Sequence, residues 1–200
     1  MSSGVPGEKF EPRQTTDTSD CTPDPSKSLK LPPPRQALID DILALYSCQP
    51  TIKRVERYTP DCVYDDLFGY ANDRHKVAAQ WFALPKMFKS SENMGYEITK
   101  NEDQLIQFKS EQKWTFRLVP ISKTIKSLIS LSLEPESAGS DSPRIIYHKD
   151  QANDKDYSHE GLGFRLKKWQ ADNLPNYMNQ EEVKYFEKDK GAAKAAPNKD

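Results

Sequence analysis

Two carboxylates stand side by side in CVYDDLFGY, Asp65 and Asp66, and a histidine and an aspartate stand two apart in RIIYHKD, His148 and Asp150. A carboxylate held away from water can accept a proton from a substrate, and a hydrogen-bonded His and Asp can move protons near neutral pH. Successive strand residues face opposite sides, so at most one of Asp65 and Asp66 can look into a pocket. The alternative for both is a strand end and turn, where carboxylates accept from loose backbone N–H groups. On a regular strand His148 and Asp150 share a face with Ile146, and Ile145 and Tyr147 take the other. If the Ile146 side faces inward, both polar groups line a cavity. If not, they form a solvated face over an Ile145/Tyr147 core.

Tyr64, Trp81, Tyr96, Trp114 and Phe116 are the aromatic candidates for a pocket that takes a small hydrophobic molecule. Their plainer role is core. His75 sits at a helix start, where exposure is expected, and His159 has no partner at useful spacing. No His/Asp/Glu cluster shows metal-ligand spacing on a single element, so no metal site is expected. Nucleophile elbows, phosphate loops and dinucleotide fingerprints are missing, so no cofactor is expected.

The elements that position these residues follow from periodicity. Leu38, Ile42 and Leu45 fall on one helical stripe after Pro32 to Pro34, and Pro50 ends that helix. TIKRVERY reads as a second short helix ended by Pro60. CVYDDLFGY reads as a strand and a turn at Gly69. Asn72 is the expected N-cap of a third helix carrying Val77, Trp81, Leu84 and Phe88, with a kink or break at Pro85. Tyr96 and Ile98 then mark a strand. Alternation follows at Ile106, Phe108, Trp114, Phe116 and Leu118, with a bend expected at Ser110 to Gln112, where the apolar side lapses. A second long strand carries Ile125, Ile129, Leu131 and Leu133, and RIIYHKD is the last. Helices first and successive strands later give an α+β fold with an antiparallel sheet. Leu162, Leu166 and Trp169 share a helical face.

Charged residues make up 30% and hydrophobic ones 36%, a core diluted by polar ends. Residues 1–31 read as a disordered tail, 32–178 as the domain and 179–200 as a charged low-complexity tail. The net charge of −1 supplies no field to draw in nucleic acid or anionic membrane. No apolar run approaches the roughly 20 residues of a membrane span. Three widely spaced cysteines fit a reduced, cytoplasmic chain.

The order ERYTPDCVYDD, KVAAQWFAL, QKWTFRLV with SLISLSLE, then IIYHKD resembles the nuclear transport factor 2-like superfamily, in its SnoaL-like branch, over residues 35 to 155. The resemblance implies a cone-shaped fold, helices closing over a curved antiparallel sheet to leave a pocket. It also implies either ligand binding with isomerase, cyclase or dehydratase chemistry, or a non-catalytic interaction module. That module would associate through the outer sheet face, as a homodimer, or through residues 157–178. In the ketosteroid isomerase branch the general base falls on Asp66 and a protonated acid, by a looser match, on Asp150; the handling of two acids by their surroundings is an established pattern there. The branch's phenol position falls on Ile42, one turn from Tyr46.

Overall fold

The computed structural model describes Lys9 and residues 20–152 and 161–195. Helix α1 (Pro33–Tyr46) buries Leu38, Ile39, Ile42, Leu45 and Tyr46. Prolines sit in its first turn, where a missing N–H costs no helical hydrogen bond. Helix α2 is one turn, Ile52–Val55, capped by Thr51. The expected longer helix is cut short because strand β1 (Tyr58–Asp65) already begins at Tyr58. Pro60 does not end a helix; it lies where β1's register against its neighbour is interrupted, between Tyr58 and Val63. A bulge of this kind needs no donor from proline.

Strand β2 (Tyr70–Ala71) folds back on β1 and leads into α3 (Arg74–Met87). The N-cap of α3 is Asp73, which accepts from the Lys76 N–H, rather than Asn72. The helix continues two residues past Pro85, undivided. Strands β3 (Phe88–Glu102), β4 (Leu105–Phe116), β5 (Ser122–Leu133) and β6 (Ile145–Ala152) complete the sheet. Its order is β2-β1-β6-β5-β4-β3. The sheet is curved and mixed rather than wholly antiparallel, because β1 lies parallel to β6. The register of β4 on β5 runs unbroken from Leu105 to Thr115, and the irregularity opposite the expected bend at Ser110 to Gln112 lies in the facing strand β3, where Asn93 and Gly95 pair with Gln112 and Glu111. Leu118 lies beyond β4 and is exposed.

The helices α1 and α3 pack on the inner face over Ile98, Ile106, Phe108, Ile129 and Leu131. A smaller cluster on the outer face joins Val63, Tyr70, Tyr147 and Phe164. Phe164 belongs to α4 (Gly161–Asn173), which turns Phe164, Lys167 and Ala171 inward. Leu162, Leu166 and Trp169 are left exposed. Lys167 goes inward because Asp65 lies buried beneath it, and their ion pair closes at 2.7 Å. A buried carboxylate without a cation would be far costlier than an exposed leucine.

Contacts with the sheet and with α3 extend beyond both ends of the 32–178 span. Leu29 N–H donates to Ile98 O, Asp24 N–H to Glu97, and Lys126 reaches Thr22, so residues 22–29 lie along the sheet. At the other end Val183 of helix α5 (Glu181–Lys184) and Phe186 are buried, and Arg74 pairs with Asp189 at 2.7 Å. His75 is buried, contrary to its expected exposure. His159 and the rest of 153–160 lie outside the described residues, as do most of 1–19 and 196–200. Among the described residues, no helix is long and apolar enough to cross a membrane.

Candidate functional site

The parallel pairing of β1 and β6 sets Tyr64 beside His148 and sends both to the inner face. Alternation then carries Asp66 and Asp150 to the same side, near the C-terminal ends of the two strands. The side expected of Ile146 is taken by Ile145 instead. Ile146 is skipped in the pairing of β5 with β6, so Ile145 enters the core and Ile146 is half-buried. His148 and Asp150 keep the inward direction.

His148 is completely buried and sits among rings. Tyr64 meets it edge-on at 4.9 Å between centroids, and Tyr58 lies parallel to it at 6.0 Å. Trp81 of α3 makes edge contacts of 5.1 Å with both Tyr46 and Tyr64. Trp114 reaches Tyr46 at 6.5 Å. Tyr96 and Phe116 are not brought to this group. Tyr96 lies on β3, at the far edge, where Gln36 donates to its hydroxyl. Phe116 packs on Phe88.

The polar contacts are short. Tyr46 Oη–H donates to Asp150 Oδ2 at 2.7 Å, and Tyr46 Oη lies 3.1 Å from His148 Nε2. Tyr58 Oη lies 2.8 Å from His148 Nδ1. Tyr64 Oη–H donates to Asp66 Oδ2 at 2.9 Å. The other oxygen of Asp66 accepts from the N–H groups of Phe68 and Gly69, at 2.7 and 2.6 Å. Asp66 therefore does the work of a turn carboxylate and at the same time engages an interior phenol. Asp65 faces the opposite side, held by Lys167 and by the Tyr147 hydroxyl.

Burial sets the charges. It pushes the Asp150 carboxyl up to about 6, helped by the negative charge of Asp66 and opposed by the hydrogen bond from Tyr46. Burial also raises the Asp66 carboxyl, against its two backbone N–H donors. The same desolvation holds His148 down at about 3, so its imidazole is neutral at neutral pH. Tyr46, Tyr58 and Tyr64 are raised well above the ordinary phenol value and stay protonated. Oδ1 of Asp150 is buried without a hydrogen-bond partner. The result is one carboxyl group poised to gain or lose a proton near pH 6, with a phenol donor on it.

Two parts of this arrangement escape the sequence reading. The position that the resemblance marks for a phenol holds Ile42, whereas Tyr46, on the last turn of α1, places its hydroxyl on His148 and Asp150 of β6. A polar band also crosses the inner face. Asn93 Nδ2 donates to Ser110 and Gln112, and Gln112 Nε2 to Ser91. The signal for that band is the lapse in the apolar alternation at Ser110 and Gln112: these residues face inward and are buried. Among the described residues, no group of three or more His, Cys, Asp or Glu side chains could hold a metal ion.

No family model and no curated protein sequence matches the chain. Solved structures do. A nuclear transport factor 2-like protein from Anabaena variabilis superposes with a TM-score of 0.50 at 8% identity, over 60% of this chain and 86% of that one. A hypothetical protein with a ketosteroid isomerase-like fold from Catenulispora acidiphila, in complex with trimethylamine, gives 0.46 at 12% identity over 56% and 82%. A de novo designed protein with a curved β-sheet gives 0.43 at 12% identity over 72% and 98%. At such identity the likeness is one of fold, and the chain has the nuclear transport factor 2-like fold.

Proposed function

We infer that this chain, a nuclear transport factor 2-like fold, binds a small molecule at the Asp66/Asp150 end of its interior and moves a proton on it. The observation that carries this reading is the Tyr46 hydroxyl on a half-buried Asp150 whose carboxyl titrates near 6, with Asp66 alongside. A base of that strength is close to what proton abstraction at cellular pH needs. Trp81, Tyr64 and Trp114 would hold an apolar body, and the Ser127, Ser110 and Gln112 side would meet a polar group. An isomerase, cyclase or dehydratase-type step fits these parts. The ligand class is a small, largely apolar carbonyl compound, and the three widely spaced cysteines suit a cytoplasmic setting.

The test is solvent deuterium exchange into a panel of cyclic and aromatic ketones. Exchange catalysed by the native chain and abolished in Asp150→Asn or Asp66→Asn supports the reading. No exchange, with no ketone perturbing the Trp81 or Tyr46 resonances, defeats it.

The second reading is an interaction module. It draws on the exposed stripe Leu162, Leu166 and Trp169 of α4, and on interior rings already in contact with one another. In that case association depends on α4, and Leu166→Glu lowers the sedimentation-derived mass at high concentration.

A further inference from the structure

Behind Asp150 runs a chain of hydrogen bonds that ends on no surface group. Its members come from three elements: Tyr58 from β1, His148 from β6 and Tyr46 from α1. Tyr58 and His148 are completely buried. Counting protons along the chain leaves one assignment. An ionised carboxylate only accepts, so Tyr46 spends its single hydrogen on Asp150 Oδ2 at 2.7 Å. The Tyr46 oxygen can then only accept at 3.1 Å from His148, which requires a hydrogen on Nε2. A neutral imidazole carries one N–H, so Nδ1 is bare and accepts from the Tyr58 hydroxyl at 2.8 Å. The other neutral tautomer would set lone pair against lone pair at Nε2, inside the core, where an unmade hydrogen bond is most costly. A charged imidazole would have to survive in a completely buried position, and burial opposes it.

We propose that His148 is a positioning residue for Asp150: fixed as the Nε2–H tautomer, it transmits a one-way chain of hydrogen bonds from Tyr58 through Tyr46 to the Asp150 carboxylate. The imidazole touches no ligand and carries no charge. Its effect is on Tyr46. A hydroxyl that accepts a hydrogen bond becomes a better donor, and chains of such bonds strengthen one another in a low-dielectric interior. The ionised form of Asp150 is therefore supported from Tyr58, two side chains further back. The other groups that act on Asp150 are Asp66 just past the end of β1, Tyr64 of β1, Ser127 from β5 and Tyr46 from α1, with Asp65 acting from the opposite face of β1. The two aspartates oppose its ionisation, and the Tyr46 hydroxyl favours it.

The inference deepens the proposed acid–base site and rests on it for its use, but its measurement needs no ligand and no turnover. The full chain is labelled with nitrogen-15 histidine, and long-range proton–nitrogen spectra are recorded near neutral pH, where Asp150 is ionised. His148 is assigned by the loss of its signals in His148→Gln. The expected pattern is a pyrrole-type Nε2 and a pyridine-type Nδ1, with Nδ1 moving toward the unbonded value in Tyr58→Phe. The Asp150 carboxyl, followed by its carbon-13 shift, titrates a few tenths of a pH unit higher in Tyr58→Phe. An Nδ1–H tautomer in the native chain overturns the proposal; the tautomer is read on the native chain, and His148→Gln serves only to assign the signal. An Asp150 titration unmoved in a folded Tyr58→Phe also overturns it. A correct tautomer with no ketone exchange would instead defeat the proposed reaction and leave the chain of hydrogen bonds standing.

Discussion

Replacing Asp150 by Asn should stabilise the protein at neutral pH and do much less for it in acid. The carboxyl of a free aspartate titrates at 3.8, and that of Asp150 in the fold at about 6. As pH rises through that window the unfolded chain releases the proton while the folded chain still holds it, so wild-type stability falls. The full difference of about two pH units corresponds to about 3 kcal/mol, reached once the pH is well above the folded value. At about pH 4.5 only about 1 kcal/mol of it has developed. The amide of Asp150→Asn keeps a carbonyl oxygen for the Tyr46 hydroxyl and has no charge to desolvate. The gain from the substitution should therefore be about 2 kcal/mol larger at about pH 7.5 than at about pH 4.5, whatever constant cost the amide brings. Urea unfolding followed by tryptophan fluorescence at both pH values reads this directly. A variant whose stability difference from the native chain is the same at both would refute the claim that burial of the Asp150 charge sets its titration.

Three further outcomes follow from the same contacts. In the Asp150→Asn background, the His148 contribution to stability should fall by about 1.4 kcal/mol per pH unit as pH drops below about 6.5 toward about 3, because unfolded histidine takes a proton that buried His148 refuses; it is read as the difference in urea unfolding between that variant and the His148→Gln double variant across the range. Tyr46→Phe removes the donor to Asp150 Oδ2, so carbon-13 titration should find the carboxyl moved further up and unfolding should show a loss of about 1–2 kcal/mol. Lys167→Ala leaves Asp65 buried without its ammonium and should cost about 3–5 kcal/mol in urea unfolding, whereas pairing Lys167→Met with Asp65→Asn should recover much of it.

That His148 and Asp150 share a face follows from their spacing of two, though not that the face is the inner one, and the stripe Leu38, Ile42 and Leu45 places α1 without ambiguity. What the sequence hides is long-range. The parallel partnership of β1 with β6 sets Val63 beside Tyr147, far away in the chain, and no local pattern announces it. Strands adjacent in sequence suggest hairpins, so a wholly antiparallel sheet is the natural expectation. The bulge at Ile146 defeats strict alternation and exchanges the two isoleucines. On α4 the apolar stripe points outward, because the face set against the sheet must bring Lys167 to Asp65; periodicity registers the leucines and not a buried charge. The lapse at Ser110 and Gln112 is visible in the sequence, but that it carries a polar lining shows only once Asn93 and Ser91 are brought beside it. Tyr46 is one turn from the position that the family likeness marks, which is enough to reach Asp150 from the end of α1.

The most direct measurement is the carbon-13 titration of the Asp66 and Asp150 carboxyl groups, with and without the ketone panel. The account predicts an Asp150 midpoint near 6, a raised Asp66, and a displacement of either by at least one ketone. Ordinary carboxylate midpoints at both positions, unchanged by every compound, would contradict it.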